Sequence, residues 1–281
     1  MKLKISVVVP SYNYGKFIDD CLVSLSKQSY NNYEVLICDG GSSDNSLDII
    51  NKYVEGDPRF VLVSNEDSGQ ADAIRKGFAN ATGDIYCFLN SDDIYLNMDV
   101  FQKVVEEFCN HSYISVLSCG GFYINEFGES LNKINYRYHP LDGHHLMKYR
   151  TAVLQPGTFW RRDVYLQGKW LPQYNYVFDV IFFYFSYLEF KWRWVDIAVA
   201  GYRKHGDNKS MGVKSDRIRE LAEFEGMKFG SHSFRKKYLM MVFELIKYIE
   251  EFSFFKRFAL RSTYLVINGL SYFSIYRLPG I

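Results

Sequence analysis

The amino-acid sequence predicts an α/β domain built on a mainly parallel sheet, followed by a C-terminal helical extension. Short apolar runs rich in β-branched residues alternate with segments of helical spacing through the first hundred residues. A polar loop follows three of these runs. In a parallel sheet the carboxyl ends of the strands share one edge, where ligands bind, so we expect the three loops to converge.

The first hundred residues supply the regular part of this pattern. The apolar runs predict strands over 5–10, 34–38, 60–64 and 85–89. Apolar residues at helical spacing predict helices over 17–27, through 49–53 and over 71–81. The loops at the strand ends are 10–15, 39–44 and 90–93.

The second part of the chain has a more mixed pattern. It predicts helices over 101–108, 177–190 and 217–260, and strands over 115–121, 121–125 and 192–199. It also predicts a short strand or loop over 154–160 and a polar mobile loop over 205–216. We therefore expect a main domain over 1–215, with halves 1–98 and 99–215, and a helical extension over 216–281.

Composition excludes several classes of protein. With 281 residues, 48% hydrophobic and 23% charged, the chain is not a disordered protein, and its net charge of +1 makes nucleic-acid binding an unfavoured function. Its five cysteines are far apart and form no CxxC pair, which indicates reduced thiols in a cytoplasmic protein. We find no secretory signal and no apolar stretch long enough to span a membrane.

Adjacent carboxylates follow the fourth predicted strand, in Asn90-Ser-Asp92-Asp93. Two carboxylates at this edge of a parallel sheet suit a hard divalent cation that holds a diphosphate. The alternative is that this pair caps the next helix.

After the second strand, Asp39 could accept a hydrogen bond from a base or ribose, and Asp44 could cap a helix. No GxGxxG or GxxxxGK[ST] motif is present, which argues against NAD and P-loop chemistry.

Three later features are candidates for chemistry. Asp179 is a single carboxylate in a strongly apolar stretch, so it is either paired or a general base. The segment 155–162 is a packed loop with a basic rim or part of a binding site. His205 lies near Arg203 and two lysines in the sequence. It is either part of an anion-binding site or a structural histidine.

Taken in order, these segments resemble the family 2 glycosyltransferases with a GT-A fold, over about residues 3–212. The resemblance rests on Val8-Val-Pro-Ser-Tyr-Asn13, on Cys38-Asp39-Gly-Gly-Ser-Ser-Asp44, on Asp67-Ser-Gly-Gln70 through Gly77, and on Gly83-Asp-Ile followed by Leu89-Asn-Ser-Asp92-Asp93. Gln155-Pro-Gly-Thr-Phe-Trp160 and Asp179 fall where the acceptor half should lie. Each segment alone is weak evidence for this family, but the combination of all of them in this order is specific for it.

The resemblance implies inverting transfer of a sugar from a nucleotide-sugar, a UDP-sugar above all, to a hydroxyl of a glycan or lipid-linked acceptor. The resemblance implies that Asp179 is the general base of catalysis. It also implies that Asp39 binds the nucleobase of the donor, and that Asp92, Asp93 and His205 hold Mn²⁺ or Mg²⁺. The other implied nucleotide-binding residues are Pro10, Tyr12, Asn13, Gln70, Arg75 and Ser91, with Asp92 again. The implied acceptor-binding residues are Gln155, Thr158 and Trp160.

The sequence departs from the family pattern at three places. Asn90 stands at the first metal-motif carboxylate, which removes one charge from the expected cation site. Ile181 stands where a second acidic residue often follows the base. Ala73-Ile-Arg75-Lys-Gly77 replaces the usual Ala-Arg-Asn-x-Gly, so the role of Arg75 is open. Two other functions therefore stay open: a catalytically impaired nucleotide-sugar-binding or membrane scaffold protein, and a sugar nucleotidyltransferase.

Aromatic residues make up 18% of the chain, and the charge is unevenly spread. Residues 228–281 carry nine Lys/Arg and three Glu, a net charge of +6, which leaves −5 for residues 1–227. Basic and aromatic residues together suit peripheral contact with the cytoplasmic face of an anionic membrane. The alternative is that the tail packs on the α/β domain or on a second subunit of a homodimer. Phe159, Trp160, Tyr136 and Tyr138 are expected to stack on sugar rings in the acceptor cleft.

Overall fold

The computed structural model describes residues 2–63, 67–134, 153–206, 208, 215–229 and 234–251. The chain divides into two compact units, one of Met1–Gln173 with Phe178–His205 and the other of Tyr174–Val177 with Gly206–Ile281. The predicted tyrosines 136 and 138, most of the predicted loop 205–216 and the tail beyond 251 lie outside the described residues.

A parallel four-stranded layer forms the first half of the larger unit. Its strands β1 (Ile5–Ser11), β2 (Tyr33–Asp39), β3 (Phe60–Leu62) and β4 (Ile85–Phe88) lie in the order β3-β2-β1-β4. The helices between them are α1 (Ile18–Ser26), α2 (Ser46–Gly56) and α3 (Gln70–Asn80). All seven residues of β1 are buried, as a strand covered on both faces must be. The pairing of Ser11 with Asp39 aligns the carboxyl ends of β1 and β2.

The second half extends this sheet with mixed pairings. Its elements are β5 (Ile94–Tyr95), α4 (Val100–Asn110), β6 (Val116–Ile124), β7 (Ser130–Ile134), a 3-10 helix (Gln155–Gly157), β8 (Thr158–Arg161), α5 (Arg162–Gln167), α6 (Phe178–Glu189) and β9 (Trp192–Arg203). Among the described residues the sheet has nine strands, in the order β3-β2-β1-β4-β8-β6-β9-β5 with β7 beside β6. Strand β8 pairs antiparallel with both β4 and β6, whereas β6 and β9 are parallel. This is the α/β fold class that the sequence predicts.

The structure corrects two local predictions. The Asp92-Asp93 pair caps no helix, because strand β5 follows it and α4 begins only at Val100. The two strands predicted to meet at Gly121 are one strand, β6. A Cβ atom at Gly121 would lie 2.1 Å from the backbone oxygen of Ala200, so the close pairing of β6 with β9 requires a glycine there.

Many of the aromatic residues pack together between α3, the sheet and α6. Trp160 is fully buried, with ring centroids 5.2 Å from Phe182, 5.8 Å from Phe183 and 5.9 Å from Phe78. Further members of this aromatic cluster are Tyr86, Phe88, Tyr165, Trp170 and Phe178. Part of the aromatic excess thus serves packing, where tilted and edge-on ring pairs are favourable.

The smaller unit contains α7 (Ser215–Phe229) and α8 (Phe234–Glu251). Within it, the buried carboxylate of Glu220 accepts hydrogen bonds from three successive backbone N–H groups, those of Asn175, Tyr176 and Val177, at 2.9, 2.7 and 3.2 Å. In the part of the chain that the structure describes, no helix is both long enough and apolar enough to cross a membrane.

Candidate active site at the carboxyl ends of the strands

The loops after β1 and β2 are joined by hydrogen bonds. The backbone N–H of Asn13 donates to Ser42 Oγ at 2.8 Å, and Asn13 Oδ1 accepts from the backbone N–H of Ser43 at 2.8 Å. Asn13 has a φ of +55°, a left-handed conformation that asparagine tolerates better than most residues. The two loops therefore form one connected rim at the sheet edge.

Both predicted aspartates of the second loop organise this rim. Asp39 is buried, and its Oδ1 accepts the N–H groups of Gly41 and Ser42 while its Oδ2 accepts the Ser42 hydroxyl. Asp44 accepts the backbone N–H of Ser46, the first residue of α2, at 3.0 Å, and that of Gly15 at 2.9 Å. Burial alone would raise the pKa of Asp44, but a hydrogen bond from the Ser46 hydroxyl, together with these backbone hydrogen bonds, holds that pKa below its ordinary value.

The loop after β4 is fixed from two sides. On one side, the Ser91 hydroxyl donates to the backbone oxygen of Pro10 at the end of β1. On the other side, β5 pairs antiparallel with β9, with Ile94 opposite Gly201. This pairing brings the 90–93 loop beside the carboxyl end of β9, where His205 follows.

Asp92 and His205 are in direct contact. The Nε2 atom of His205 lies 2.9 Å from Asp92 Oδ2, and both side chains are largely buried. The His205 ring packs against Phe17, with centroids 4.6 Å apart, and approaches Tyr14 edge-on at 6.3 Å. The structure therefore brings together two of the three residues predicted to bind a metal ion.

The third predicted metal ligand has different partners. Asp93 is buried, its Oδ1 accepts the backbone N–H of Arg203 at 2.9 Å, and its Oδ2 lies 3.4 Å from Asn90 Nδ2. Burial raises the pKa of the Asp93 carboxyl well above its usual value, and the neighbouring Asp92 charge raises it further. These contacts give Asp93 a part in holding β9 against the loop.

A chain of amides replaces the missing first carboxylate of the motif. The Asn90 Oδ1 atom accepts from Gln70 Nε2 at 2.7 Å, and Asn90 Nδ2 donates to Gln155 Oε1 at 3.1 Å. Gln155 in turn donates to the backbone oxygen of Phe88 at 2.7 Å. Gln70 and Gln155, predicted for the nucleotide and the acceptor, thus meet at Asn90.

Asp179 lies in the first turn of α6, half-buried, and its Oδ1 accepts the backbone N–H of Val180 at 2.8 Å. The preceding residue, Phe178, belongs to the aromatic cluster, with its ring centroid 6.0 Å from that of Phe88. Phe88 ends β4, two residues before Asn90. The cluster therefore fixes the start of α6 close to the end of β4.

Two predicted acceptor residues are misassigned. Thr158 and Trp160 are 0% exposed, so neither can touch an acceptor in this structure. Thr158 donates to the backbone oxygen of Leu154, and Trp160 is a core residue, as is Phe159.

Among the predicted nucleotide residues, Tyr12 is 60% exposed, and Arg75 pairs with Asp72 of its own helix at 2.7 Å.

Sequence reasoning missed the structural part played by Arg203 and Phe17. Arg203 is fully buried, and its guanidinium lies 5.1 Å from the Phe17 ring centroid. The available signal was the position of Arg203, two residues before His205 at the end of an apolar strand, where a charged side chain needs buried partners.

The donor set of this site suits a divalent cation that also binds a substrate. Within the described ranges, no group of three or more His, Cys, Asp or Glu side chains is arranged to hold a metal ion. Asp92 and His205 supply two adjacent donors, one oxygen and one nitrogen. Cations that act on phosphates are commonly held in this way, by one or two protein ligands plus phosphate oxygens and water.

Comparison with known proteins places the chain in a family. The family model described as glycosyl transferase family 2 matches residues 6–168. An uncharacterized glycosyltransferase of Nostoc is 34% identical over 116 residues, which is 41% of this chain and 36% of that protein. The chain thus matches about a third of the length of this curated relative.

Solved structures show the same fold. S. aureus TarS in complex with UDP-GlcNAc superposes with a TM-score of 0.62 at 20% identity, covering 80% of this chain and 67% of that one. Glucosyl-3-phosphoglycerate synthase from Mycobacterium tuberculosis, in complex with Mn²⁺, UDP and phosphoglyceric acid, superposes with a TM-score of 0.56 at 20% identity, covering 80% and 79%. The chain belongs to glycosyl transferase family 2 and has the GT-A fold of these structures.

Proposed function

We propose that this glycosyltransferase moves a sugar from a UDP-sugar to a hydroxyl of a glycan or lipid-linked acceptor, with inversion at the anomeric carbon. The observation that carries the proposal is the Asp92–His205 contact at the strand ends, beside the joined loops after β1 and β2. UDP or UDP-GlcNAc is bound in the two solved structures of this fold described above, which supports a uridine donor.

The nucleotide would lie along the rim formed by Pro10, Tyr12, Asn13 and Asp39. Asp39 Oδ1 already accepts two N–H groups, whereas Oδ2 accepts one hydroxyl and keeps a lone pair. That acceptor suits the N–H group of a uracil ring. Ser91, Gln70 and Arg75 are the further nucleotide-binding residues of the proposal, with Gln155 toward the acceptor.

Asp92 and His205 would hold the cation together with the donor diphosphate. A nitrogen ligand favours Mn²⁺ over Mg²⁺, which prefers oxygen ligands throughout. Bound there, the cation would stabilise the negative charge of the departing nucleoside diphosphate. Asp93 is not retained as a ligand in this proposal, because its carboxylate contacts the Arg203 backbone and Asn90.

Asp179 is the proposed general base. It would take the proton of the acceptor hydroxyl while that oxygen attacks the anomeric carbon and the bond to the diphosphate breaks. A single displacement inverts the anomeric centre, whereas a retaining glycosidase needs a second carboxylate as nucleophile. The start of α6, held by Phe178 against Phe88, would keep this carboxylate in place.

The remaining proposals concern organisation. We propose a transferase domain over 1–215 and a helical extension over 216–281, with peripheral membrane contact through 228–281. Three basic residues, Arg235-Lys-Lys237, lie in the first turn of α8, and the other basic pair, Lys256-Arg257, lies outside the described residues. A membrane position would bring the site near lipid-linked acceptors used in polysaccharide assembly.

Thermal unfolding with a panel of UDP-, GDP-, CDP- and dTDP-sugars, each with Mn²⁺ or with EDTA, tests the donor and the cation. A UDP-sugar is expected to raise the unfolding temperature in Mn²⁺, because a ligand at a hundredfold excess over its Kd adds about 2.7 kcal/mol of stability. Stabilisation by another nucleotide alone would contradict the uridine assignment. Equal stabilisation by the UDP-sugar in EDTA would contradict the cation site.

A further inference from the structure

Arg203 is a fully buried charged side chain at the end of β9. Its side chain is 0% exposed, two residues before His205. A buried guanidinium is costly unless its donors meet acceptors with good geometry. Its partners therefore indicate what the fold gains by keeping it.

The guanidinium of Arg203 contacts three separate chain segments. Its Nε donates to the backbone oxygen of Asp92 at 2.7 Å, its NH1 donates to the backbone oxygen of Glu126 at 2.7 Å, and its NH2 donates to Asp20 Oδ2 at 2.8 Å. These partners belong to the metal-motif loop, the turn between β6 and β7, and helix α1. One planar group thus fixes the place where the three segments meet.

The same residue constrains both members of the Asp92–His205 pair. Asp92 is held directly, through its backbone oxygen. His205 is held through the short connection from Arg203 and through Phe17, whose ring lies against the guanidinium at 5.1 Å and against the His205 ring at 4.6 Å. The backbone N–H of Arg203 also donates to Asp93, next to Asp92.

We propose that Arg203 is the positioning residue of the cation site: its guanidinium sets the separation of Asp92 and His205 at which both can bind one divalent cation. The inference rests on the function proposed above, since it concerns the same site. Lysine cannot substitute, because a single ammonium lacks the planar set of donors that reaches several acceptors in fixed directions.

The chain contains a matched control for this role in Arg161. Its guanidinium also donates to backbone oxygens, from Nε to Ile114 at 2.8 Å and from NH2 to Phe108 at 3.2 Å, and it also lies 5.2 Å from a phenylalanine ring, that of Phe108. These partners belong to α4 and the segment that follows it, and none is a proposed ligand. Arg161→Lys therefore measures the cost of losing a structural guanidinium.

The test is a titration of Mn²⁺ in the presence of UDP, read from the paramagnetic resonance signal of free Mn²⁺, which requires no turnover. Arg203→Lys is expected to weaken Mn²⁺ affinity by about 10- to 100-fold, the usual effect of removing a residue that orients a ligand. Arg161→Lys is expected to lower the unfolding temperature and leave Mn²⁺ affinity unchanged. Unchanged affinity in folded Arg203→Lys would overturn the inference.

Asp20→Ala provides a second variant in case Arg203→Lys does not fold. The Asp20 side chain is 57% exposed, so its removal leaves the core intact while freeing one arm of the guanidinium. A smaller weakening of Mn²⁺ affinity in the same direction is expected, and no weakening would overturn the inference. If the wild-type chain binds UDP but no Mn²⁺, the cation part of the proposed function is wrong, and this inference is overturned with it.

Discussion

Asp92 and Asp93 are neighbours in the chain, but their carboxylates meet different partners. Asp92 contacts the imidazole of His205, whereas Asp93 accepts the backbone N–H of Arg203. The two residues lie in a turn, which is closed by a hydrogen bond from the Asp93 N–H to the Asn90 backbone oxygen at 3.0 Å just before β5. Two residues that look equivalent in the sequence therefore have separate partners, the His205 side chain for Asp92 and the backbone of β9 for Asp93.

Asp179→Asn tests the proposed base at the residue scale. Amide replacement removes the proton acceptor, so UDP release from a UDP-sugar, with water as acceptor, is expected to slow by about 10²- to 10⁴-fold. Thermal stabilisation by UDP and Mn²⁺ should persist, because Asp179 contributes to chemistry and not to donor binding. Asp163→Asn, a change in the first turn of α5, is the matched control. UDP release at the wild-type rate in Asp179→Asn would remove this residue as the base.

Residue identities were predictable where a motif fixes the chemistry. The family resemblance assigns Asp92 and His205 to one site, and their side chains are in contact across more than a hundred residues of sequence. Trp160 was misassigned because its segment gives no periodicity that separates a buried ring from a cleft residue. Arg203 was missed because the partners of its side chain come from three distant segments, and only the folded chain assembles them.

Helix α3 packs closely on the parallel strands of the larger unit. A Cβ atom at Gly77 would lie 2.5 Å from Val8 Cγ1 and 2.9 Å from Cys38 Sγ. The glycine lets α3 approach β1 and β2, the strands that lead into the joined loops. Packing of this helix therefore supports the position of the rim.

Gly77→Ala is expected to destabilise the protein by about 1–3 kcal/mol, the usual cost of forcing extra volume into a packed core. Gly56→Ala is the matched control, because it lies at the end of α2 with no atom within 4 Å of the added Cβ. Alanine there should be neutral or stabilise the helix by about 0.5–1 kcal/mol. Urea unfolding of both variants measures the difference, and equal stabilities would refute the packing argument.

The first turn of α3 also predicts acid sensitivity. Burial alone would raise the pKa of Asp72, but hydrogen bonds from Arg75, the Ser68 N–H and Lys76 lower it from 3.8 to about 2. A carboxyl whose pKa is lower in the folded state contributes stability above its unfolded pKa, and that contribution is lost as the pH falls through about 2. Between these two values Asp72 makes stability depend on pH.

Asp72→Asn is therefore expected to be less stable than wild type near neutral pH and to approach wild type as the pH falls from about 4 to about 2. Urea unfolding across this range provides the measurement. Asp48→Asn, a substitution of an exposed carboxylate in the first turn of α2, serves as the control. A constant stability difference between Asp72→Asn and wild type over that range would contradict the assignment.

Elements with a clear period were predictable, and short ones were not. Strands β1 to β4 and helices α1 to α3 lie within a few residues of their predicted ranges, because buried apolar runs and helical spacing mark them. Strand β5 has only two residues and therefore no pattern, yet its pairing with β9 brings the 90–93 loop to His205. The alternative that Asp92-Asp93 caps a helix could not be rejected from the sequence for this reason.

At the scale of the whole chain, the aromatic fraction has more than one origin. One part is the aromatic cluster around Trp160, which packs between α3, the sheet and α6 and fixes the start of α6. Another part belongs to residues 228–281, where thirteen aromatic residues accompany a net charge of +6. Composition alone could not separate packing from surface contact, since both use the same residue types.

The proposed cation site at Asp92 and His205 is tested by the rate of UDP release from a stabilising UDP-sugar, measured as a function of Mn²⁺ in wild type, Asp92→Asn and Asp93→Asn. Wild type should require the cation, and Asp92→Asn should lose the Mn²⁺-dependent rate while remaining folded. Asp93→Asn keeps an acceptor oxygen for the Arg203 N–H, so it should retain Mn²⁺-dependent release. Mn²⁺-dependent release at the wild-type rate by Asp92→Asn would contradict the proposed site.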